Sequence, residues 1–280
     1  MKKVAILLTV YNRKDVTLNG LRSLTKQFPY NKDMSYDVYM TDDGSTDGTA
    51  DSVRKEFPDI NIISGDGSLF WSGGMRVAWQ AAIDSGIVYD YYLWFNDDAM
   101  LFDDALQTIN MAMERIGGIG IISGAFQDSQ GNVSYGAWNR QMKVMQPNGE
   151  LQSIFLLNGN LVLVSKLVVE KIGIIDKIFK HSLGDWDYGR RASKAGFKVM
   201  LTGKYVGVTN RHDAEDLRMY DSHYSIVKRW KYMHSPKYAP QASFIYNSRH
   251  DGVLIAIARW IMPYIYVFFP FVYKLRHVKS

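Results

Sequence analysis

The chain has 280 residues, a formal net charge of +5 and no cysteine. Hydrophobic residues make up 47% of the chain, which excludes a disordered polar protein. The lack of cysteine excludes disulfides, thiolate zinc sites and a cysteine nucleophile. We expect one large domain or two small ones, with enough chain to bury a hydrophobic core.

The positive charge is concentrated near the C-terminus. Residues 204–280 carry 12 Lys and Arg against 5 Asp and Glu, whereas residues 1–203 carry 21 against 23. A general nucleic-acid-binding protein would spread its basic residues over the folded body. We therefore expect an anionic partner for the C-terminal part, and we do not expect this partner to be nucleic acid.

The first hundred residues alternate between strand and helix patterns. Predicted strands cover residues 4–10, 36–40, 60–63 and 91–95, and predicted helices cover about 15–26, 46–56 and 74–85. This order predicts an α/β fold with a parallel sheet. The apolar run Val4–Val10 is short and has no small-residue cleavage site after it, which favours a buried strand over a signal peptide.

The following residues are less regular. We predict strands at 119–123, 160–164, 198–201 and 206–208, and helices at 166–172 and 184–196. Residues 124–152 are rich in Gly, Asn and Gln, which indicates hairpins or a mobile loop. With no internal repeat or low-complexity linker, we predict a catalytic domain over residues 1–220 and a C-terminal extension over residues 221–280.

Acidic residues follow two of the predicted strands, at the sheet edge where α/β proteins bind ligands. Asp97 and Asp98 are adjacent carboxylates that would suit Mg²⁺ or Mn²⁺. Alternatively, Asp98 or Asp103 could simply cap the next helix. Asp42 and Asp43 precede Gly44, whose backbone freedom permits a tight turn. Either could accept an N–H group of a nucleobase, or both could belong to an ordinary turn.

Two later segments carry candidate catalytic residues. Asp185 and Asp187 lie at the start of a predicted helix, where an ionised aspartate could remove a proton from a sugar hydroxyl. The alternative is a capped surface helix in which Asp187 pairs with Arg191 one turn later. His212 follows a predicted strand and is either a metal ligand or a structural residue.

Residues 65–76 form a glycine-rich stretch at the start of a predicted helix. Phosphate groups could approach its backbone N–H groups, although it matches neither a Walker A loop nor the G-x-G-x-x-G pattern. Trp71 within it could lie in the core or form a wall of a sugar site.

In this order, these segments resemble the family 2 glycosyltransferases of the GT-A fold. The resemblance runs from Val4 to His212 and depends on residues 9–13, 42–47, 94–99, 158–160, 172–176, 185–187 and 212. It implies a Rossmann-like, mostly parallel central sheet flanked by helices, followed by a C-terminal helical extension.

The resemblance also implies roles for individual residues. Asp185 corresponds to the catalytic base, Asp98 and His212 to metal ligands, and Trp186 and Asp187 to acceptor contacts. Residues that correspond to the nucleotide and donor site are Thr9, Tyr11, Arg13, Asp42, Asp43, Gly67, Trp71 and Asp97.

The sequence departs from the family pattern at three points. Gly184 stands where the family usually has an acidic residue before the catalytic aspartate, and Arg76 stands where it often has asparagine. The Gln-x-x-Arg-Trp motif is absent from the sequence, which argues against a processive polysaccharide synthase.

The C-terminal part contains an apolar and aromatic stretch over residues 252–271. Its length approaches the roughly 20 residues that span a bilayer, but Arg259 interrupts it. Pro263 and Pro270 are expected to bend or end a helix. With its basic neighbours, the stretch predicts a peripheral or monotopic anchor on the cytoplasmic face of the cell membrane. The alternatives are a buried terminal helix or the interface of a homo-oligomer.

Together these features predict a glycosyltransferase that uses Mg²⁺ or Mn²⁺ and inverts the sugar configuration. We expect a UDP- or dTDP-linked hexose or deoxyhexose as donor, and a saccharide or lipid-linked acceptor in bacterial surface polysaccharide synthesis. Two alternatives are a sugar-phosphate nucleotidyltransferase and a non-catalytic, membrane-bound adaptor with the same fold.

Overall fold

A computed structural model describes residues 1–210 and 217–277. Contacts within the chain define two units. The first, the catalytic unit, contains residues 1–177 and 184–210, and the second, the C-terminal unit, contains residues 178–183 and the described residues from 217 onward. The domain boundary after residue 220 stays a prediction, and nothing in the pattern of residues 178–183 indicated this grouping.

The catalytic unit is an α/β structure, as predicted. Its strands are β1 (Lys2–Val10), β2 (Met34–Asp42), β3 (Asn61–Ser64), β4 (Tyr91–Phe95), β5 (Met100–Leu101), β6 (Ile121–Gln127), β7 (Val133–Tyr135), β8 (Ala137–Trp138), β9 (Gln152–Ser153), β10 (Leu156–Leu157), β11 (Leu161–Ser165) and β12 (Val199–Val208). Its helices are α1 (Lys14–Thr25), α2 (Thr49–Glu56), α3 (Phe70–Asp84), α4 (Ala105–Arg115), α5 (Lys166–Ile172) and α6 (Gly184–Lys194), and a 3₁₀ turn covers Phe28–Tyr30.

The central sheet is mostly parallel. Its strand order is β3-β2-β1-β4-β11-β6-β12-β5, with β7 beside β6, β9 beside β12, and a separate pair of β8 and β10. Strand β1 runs parallel to β2 and β4, whereas β11 runs antiparallel to β4 and β6. The amino end of β11 therefore lies at the same sheet edge as the carboxyl end of β4.

Both faces of the sheet are covered, because the apolar run of β1 buries side chains in both directions. Alternate residues of Val4–Leu8 belong to two hydrophobic cores and have no exposed surface. Leu21 and Ile109 of α1 and α4 belong to one core, and Trp79 and Tyr188 of α3 and α6 belong to the other. Continuous apolar strands are typical of parallel sheets with helices on both faces.

Two details differ from the sequence prediction, and a third agrees with it. Helix α3 begins at Phe70, four residues before the predicted start at Gly74. Strand β12 is continuous where two short strands were predicted, with register shifts between Leu201 and Gly207 that break the simple apolar pattern. Residues 124–152 contain the antiparallel pair of β6 and β7, a hairpin as one alternative predicted, together with β8 and the start of β9.

The C-terminal unit is helical, as predicted. Its elements are a 3₁₀ turn (Leu217–Tyr220), α7 (Ile226–Met233), α8 (Pro240–His250), α9 (Val253–Phe268) and α10 (Pro270–His277). Pro263 lies inside α9 and does not end it. The break comes at Phe269, because the residue before a proline disfavours helical dihedrals. None of the described helices is both long and apolar enough to cross a bilayer.

Candidate active site

The carboxyl end of β4 and the amino end of β11 bring two asparagines together. Phe95 of β4 lies opposite Leu161 of β11, so Asn96 and Asn160 are neighbours just beyond the paired strands. The backbone N–H of Asn96 donates to the carbonyl oxygen of Asn160 at 2.9 Å. The Asn-Asp-Asp segment is thereby fixed at the edge where α/β sheets bind ligands.

Arg13, the residue before α1, binds the carboxylates of that segment. Its guanidinium lies 3.2 Å from Asp97 Oδ1 and 2.9 Å from Asp98 Oδ2. Thr17 donates its hydroxyl to Asp97 Oδ2 at 2.7 Å. Burial raises the pKa of Asp97, and the nearby Arg13 and the Thr17 hydroxyl partly offset this rise. The Asp97 side chain is 3% exposed and that of Asp98 is 15% exposed, so Asp98 is the more accessible carboxylate.

Asp43 organises the glycine-rich loop. Its carboxylate accepts hydrogen bonds from the backbone N–H groups of Gly67, at 2.9 Å, and of Leu69 and Phe70, both at 3.0 Å. Phe70 adopts a φ of +56°, a conformation that non-glycine residues rarely take. The hydrogen bond to Asp43 supports this backbone, which explains why α3 begins before the predicted start at Gly74.

The other predicted nucleotide residues lie at the ends of β1 and β2. Asp42 is buried and accepts the backbone N–H of Ser45 at 2.9 Å. Thr9 packs so closely on α3 that a Cβ at Gly74 would lie 2.0 Å from its Oγ1. Tyr11 is 53% exposed beside this edge. The roles of Thr9, Tyr11, Arg13, Asp42, Asp43, Gly67 and Asp97 in nucleotide binding stay predictions.

Trp71 connects the glycine-rich loop to the two asparagines. Its indole N–H donates to Asn96 Oδ1 at 2.7 Å, and Asn96 Nδ2 donates to Asn160 Oδ1 at 2.7 Å. The ring lies so close to Gly159 that a Cβ there would lie 2.3 Å from it, so only glycine fits. Trp71 thus has both a packing role and a position at the site, the two interpretations that the sequence left open.

Asp185 begins α6 and lies beside Gly159. Its carboxylate accepts the backbone N–H of Trp186 at 2.9 Å and a backbone hydrogen bond from Gly159. Burial raises the pKa of Asp185 to about 6, although these hydrogen bonds oppose the rise. At neutral pH the carboxylate is therefore mostly ionised and more basic than an ordinary aspartate, as a general base requires.

The structure explains why glycine precedes this aspartate. A Cβ at Gly184 would lie 2.5 Å from the hydroxyl oxygen of Ser72, which is too close for any other side chain without movement. The acidic residue that the family usually has at this position would not fit against Ser72.

Helix α6 is fixed by a buried ion pair. Asp187 is fully buried, and Arg191 Nε donates to its Oδ2 at 2.7 Å, as one of the two alternative interpretations predicted. Arg191 also donates to the carbonyl oxygens of Ile172 and Ile174. Because Asp187 is buried and bound to Arg191, its side chain is not accessible to an acceptor.

An aromatic pair lies next to Asp185. The rings of Trp186 and Trp138 meet edge to face, with centroids 5.7 Å apart, and both residues are partly exposed. Sequence analysis did not single out Trp138, because it stands alone in an irregular stretch. It also missed Thr17, whose hydroxyl is one of several on α1.

The described residues offer one predicted metal ligand, Asp98. Across residues 1–210 and 217–277, no group of three or more His, Asp and Glu side chains is arranged to hold an ion. Asp98 provides a hard oxygen ligand, and a divalent ion often binds through one or two carboxylates together with substrate phosphates. His212, the second predicted metal ligand, lies outside the described residues.

The chain also matches a known protein family over most of the residues that form this site. Residues 5–188 match the family described as glycosyl transferase family 2. The chain belongs to glycosyltransferase family 2. The protein is therefore a glycosyltransferase, and the predictions of its family and enzyme class are confirmed.

Solved structures confirm the GT-A fold. A mannosyltransferase from Pyrobaculum calidifontis, in complex with GDP-Man and Mn²⁺, matches with 14% identity and a TM-score of 0.55, over 99% of this chain and 87% of that one. S. aureus TarS 1–349 in complex with UDP-GlcNAc matches with 15% identity and a TM-score of 0.54, over 95% and 73% of the two chains. The chain spans 44% of a longer TarS structure. A search of curated proteins finds no match.

The raised pKa of Asp185 predicts a pH-dependent cost to folding. Asp185 keeps its proton up to about pH 6 in the folded chain, but only up to about pH 4 in the unfolded chain. Stability therefore falls as the pH rises between these values. We expect the Tm of Asp185→Asn, relative to wild type, to increase by roughly 5 °C from pH 4.5 to pH 8.

Differential scanning calorimetry at both pH values measures this difference, and Asp84→Asn at an exposed position is the control. A difference between Asp185→Asn and wild type that stays constant with pH would show that the carboxyl is not desolvated.

Proposed function

We propose that the protein transfers a glycosyl group from a nucleoside-diphosphate sugar to an acceptor hydroxyl, with inversion and with the help of a divalent cation. The donor would be a UDP- or dTDP-linked hexose or deoxyhexose. The acceptor would be a saccharide, lipid-linked or otherwise, in the synthesis of a bacterial surface polysaccharide. The GT-A neighbours whose complexes contain GDP-Man or UDP-GlcNAc support a nucleotide-sugar donor.

The observation that carries this proposal is the connection of Asp185 to the Asp97–Asp98 segment. Asn96 directly precedes the acidic pair and is bound to both Trp71 and Asn160. Gly159, beside Asn160, donates to the carboxylate of Asp185. A basic carboxylate and an acidic pair bound by arginine are therefore held by one rigid set of contacts.

This arrangement assigns separate tasks to the two ends of the site. Asp98 would hold a divalent ion, which when bound would neutralise charge on the leaving diphosphate. Arg13 holds the two adjacent carboxylates in place and adds positive charge at the same end. At the other end, Asp185 accepts the proton of the acceptor hydroxyl.

In the reaction, the acceptor oxygen forms a bond to the anomeric carbon of the donor sugar. The bond from that carbon to the diphosphate oxygen breaks, and the diphosphate leaves with the electron pair. The acceptor proton passes to Asp185. Attack from the face opposite the leaving group inverts the configuration of the anomeric carbon.

We expect Asp185→Asn to abolish most transfer while leaving donor binding intact. General-base catalysis contributes roughly 10²- to 10⁴-fold, and asparagine cannot accept the proton. Release of nucleoside diphosphate from UDP-glucose, dTDP-rhamnose and GDP-mannose can be measured with water as the acceptor. The wild-type rate should fall as the pH drops through about 6, because the base becomes protonated.

Asp84→Asn again serves as the matched control, and ¹H NMR of the first released sugar reports its anomeric configuration. A variant Asp185→Asn that turns over at near the wild-type rate, or a product with retained configuration, would contradict the assignment of Asp185 as the base.

We expect the cation to act through Asp98. Binding of UDP, dTDP and GDP to the wild-type protein, measured by calorimetry, should be about tenfold tighter with Mn²⁺ or Mg²⁺ than with EDTA. Asp98→Asn should lose this gain, because it removes a charged oxygen ligand. Asp103→Asn, at a carboxylate that is 88% exposed, should keep it. Equal affinity of the wild-type protein with and without metal would count against a metal-dependent donor site.

The C-terminal unit supports a further part of the proposal, association with an anionic membrane surface at the cytoplasmic face. Helix α9 and the residues after it expose an unusual number of large apolar side chains. These are Val253, Leu254, Ile255, Ile257, Trp260, Ile261, Phe268, Phe269, Phe271 and Leu275. Apolar and aromatic side chains beside lysine and arginine are typical of helices that lie in the membrane interface.

The charge that interrupts this stretch is paired within the C-terminal unit. Arg259 lies 2.6 Å from Asp251 Oδ2 and donates a hydrogen bond to Asn247 Oδ1. It therefore need not bring an uncompensated charge towards the lipid. An enzyme bound at the membrane surface would lie close to a lipid-linked acceptor, and this would be the function of the anchor.

We expect Leu254→Asp with Phe271→Asp to reduce binding of the full-length chain to vesicles of phosphatidylglycerol and phosphatidylcholine by tenfold or more. Each change removes an apolar side chain worth roughly 1.5–3 kcal/mol on burial and adds a negative charge. The control is Tyr30→Asp with Val88→Asp, at two exposed apolar positions of the catalytic unit. Co-sedimentation measures binding, and equal binding of the two double variants would contradict the anchor.

A further inference from the structure

The catalytic unit contains a groove that the proposed mechanism does not use. Its volume is about 1100 Å³. It is formed by the end of α4, the residues after β8, the segment 150–155, the second half of α6 and the start of β12. They belong to three separate stretches of the sequence, residues 115–116, 139–155 and 190–200, which the fold brings together.

The groove is strongly basic. All of its lining residues belong to the described chain, and Glu150 is the single carboxylate among them. Glu150 pairs with one of the basic residues, Arg115, at 3.1 Å. The basic side chains of the lining are Arg115, Arg140, Arg190, Lys194 and Lys198. Residues 1–203 carry slightly more acidic than basic residues, so the excess of basic residues in the groove is not a general property of this part of the chain.

Two of these cations share one aromatic ring. The guanidinium carbon of Arg190 lies 4.6 Å from the centroid of Phe155, and that of Arg140 lies 5.3 Å from it. Cation–π contact helps to hold each guanidinium in place. Two positive charges are thereby fixed at one wall of the groove, and both would attract an anion bound there.

The groove and Asp185 share helix α6. Trp186, Arg190 and Lys194 follow one another at intervals of four residues and so lie on one stripe of the helix. Arg190 lies about 7 Å, and Lys194 about 13 Å, along the helix axis from Asp185. The partner of Trp186, Trp138, is followed directly by Asn139 and Arg140 of the groove. The aromatic pair therefore connects the helix that carries the base to a second segment that lines the groove.

We propose that this basic groove, formed by Arg115, Arg140, Phe155, Arg190, Lys194 and Lys198, binds an anionic acceptor chain. The inference rests on the proposed transfer to a hydroxyl at Asp185. The unit that receives the sugar lies near Asp185 and the tryptophan pair. The neighbouring units carry phosphate or carboxylate groups, which the arginines and lysines bind. Arginine suits this task because its planar guanidinium can bind both kinds of group through two hydrogen bonds.

The test measures binding of three fluorescent oligomers by anisotropy at low salt: a glycerol phosphate hexamer, a hexagalacturonate and the neutral maltohexaose. We expect at least one anionic oligomer to bind about tenfold more tightly than maltohexaose. Added salt should weaken this binding, because it screens the exposed charges. The stronger of the two anionic ligands identifies phosphate or carboxylate as the acceptor chemistry.

The variant Arg190→Gln with Lys194→Gln should weaken anionic binding about tenfold. Its control, Lys32→Gln with Lys55→Gln, removes the same charge from exposed positions outside the groove and should change binding less than about twofold. Arg190→Lys with Lys194→Arg keeps the charge and should bind within about threefold of wild type, which separates lost charge from a damaged fold.

Two results would overturn the inference. One is equal binding of charged and neutral oligomers, and the other is an equal loss of binding in the groove variant and its control. Hydrolysis of nucleotide sugars by the wild-type protein is measured separately. Absence of that activity with every donor would reject the proposed function, whereas the binding results decide the groove alone.

Discussion

The buried ion pair of Asp187 and Arg191 is the contact on which the arrangement of α6 depends. A buried carboxylate is costly unless it is paired and hydrogen-bonded, and Arg191 meets both needs because it also binds the carbonyl oxygens of Ile172 and Ile174. Tyr188 adds apolar contact, with its ring 5.2 Å from that of Trp94. The helix therefore cannot rotate without breaking these contacts, and the positions of its other side chains follow from them.

Close packing also accounts for two glycines around the active site. Gly184 of α6 leaves room for the hydroxyl of Ser72 on α3, and Gly159, just before β11, leaves room for the ring of Trp71. These close approaches desolvate Asp185, and desolvation raises its pKa. The basicity of the proposed catalytic residue is thus a consequence of packing, and the missing acidic residue at position 184 follows from the same packing.

The sequence predicted the elements whose pattern is local. Strand β4 and helix α5 match their predicted bounds, because apolar runs and helical spacing are visible within a few residues. The pattern also placed the acidic pairs at the ends of two strands and Asp185 at the start of a helix, where the structure has them. The role of Asp185 as the base came from the resemblance to a known family and stays a prediction. The pattern failed where distant contacts decide the outcome. The early start of α3 depends on Asp43, and the pairing of Trp138 with Trp186 depends on the fold.

The distribution of charge also shows that sequence patterns do not reveal contacts between distant residues. It further distinguishes the basic residues of the groove from one another. Counting charges along the sequence revealed the basic C-terminus but not the groove, whose basic residues come from three separate segments. Lys194 lies in the last turn of α6, where a cation is favourable beside the helix dipole whether or not a ligand binds. Arg190 lies earlier in the helix, before its last turn. It shares the ring of Phe155 with Arg140, so these two arginines are the strongest argument that the groove binds anions.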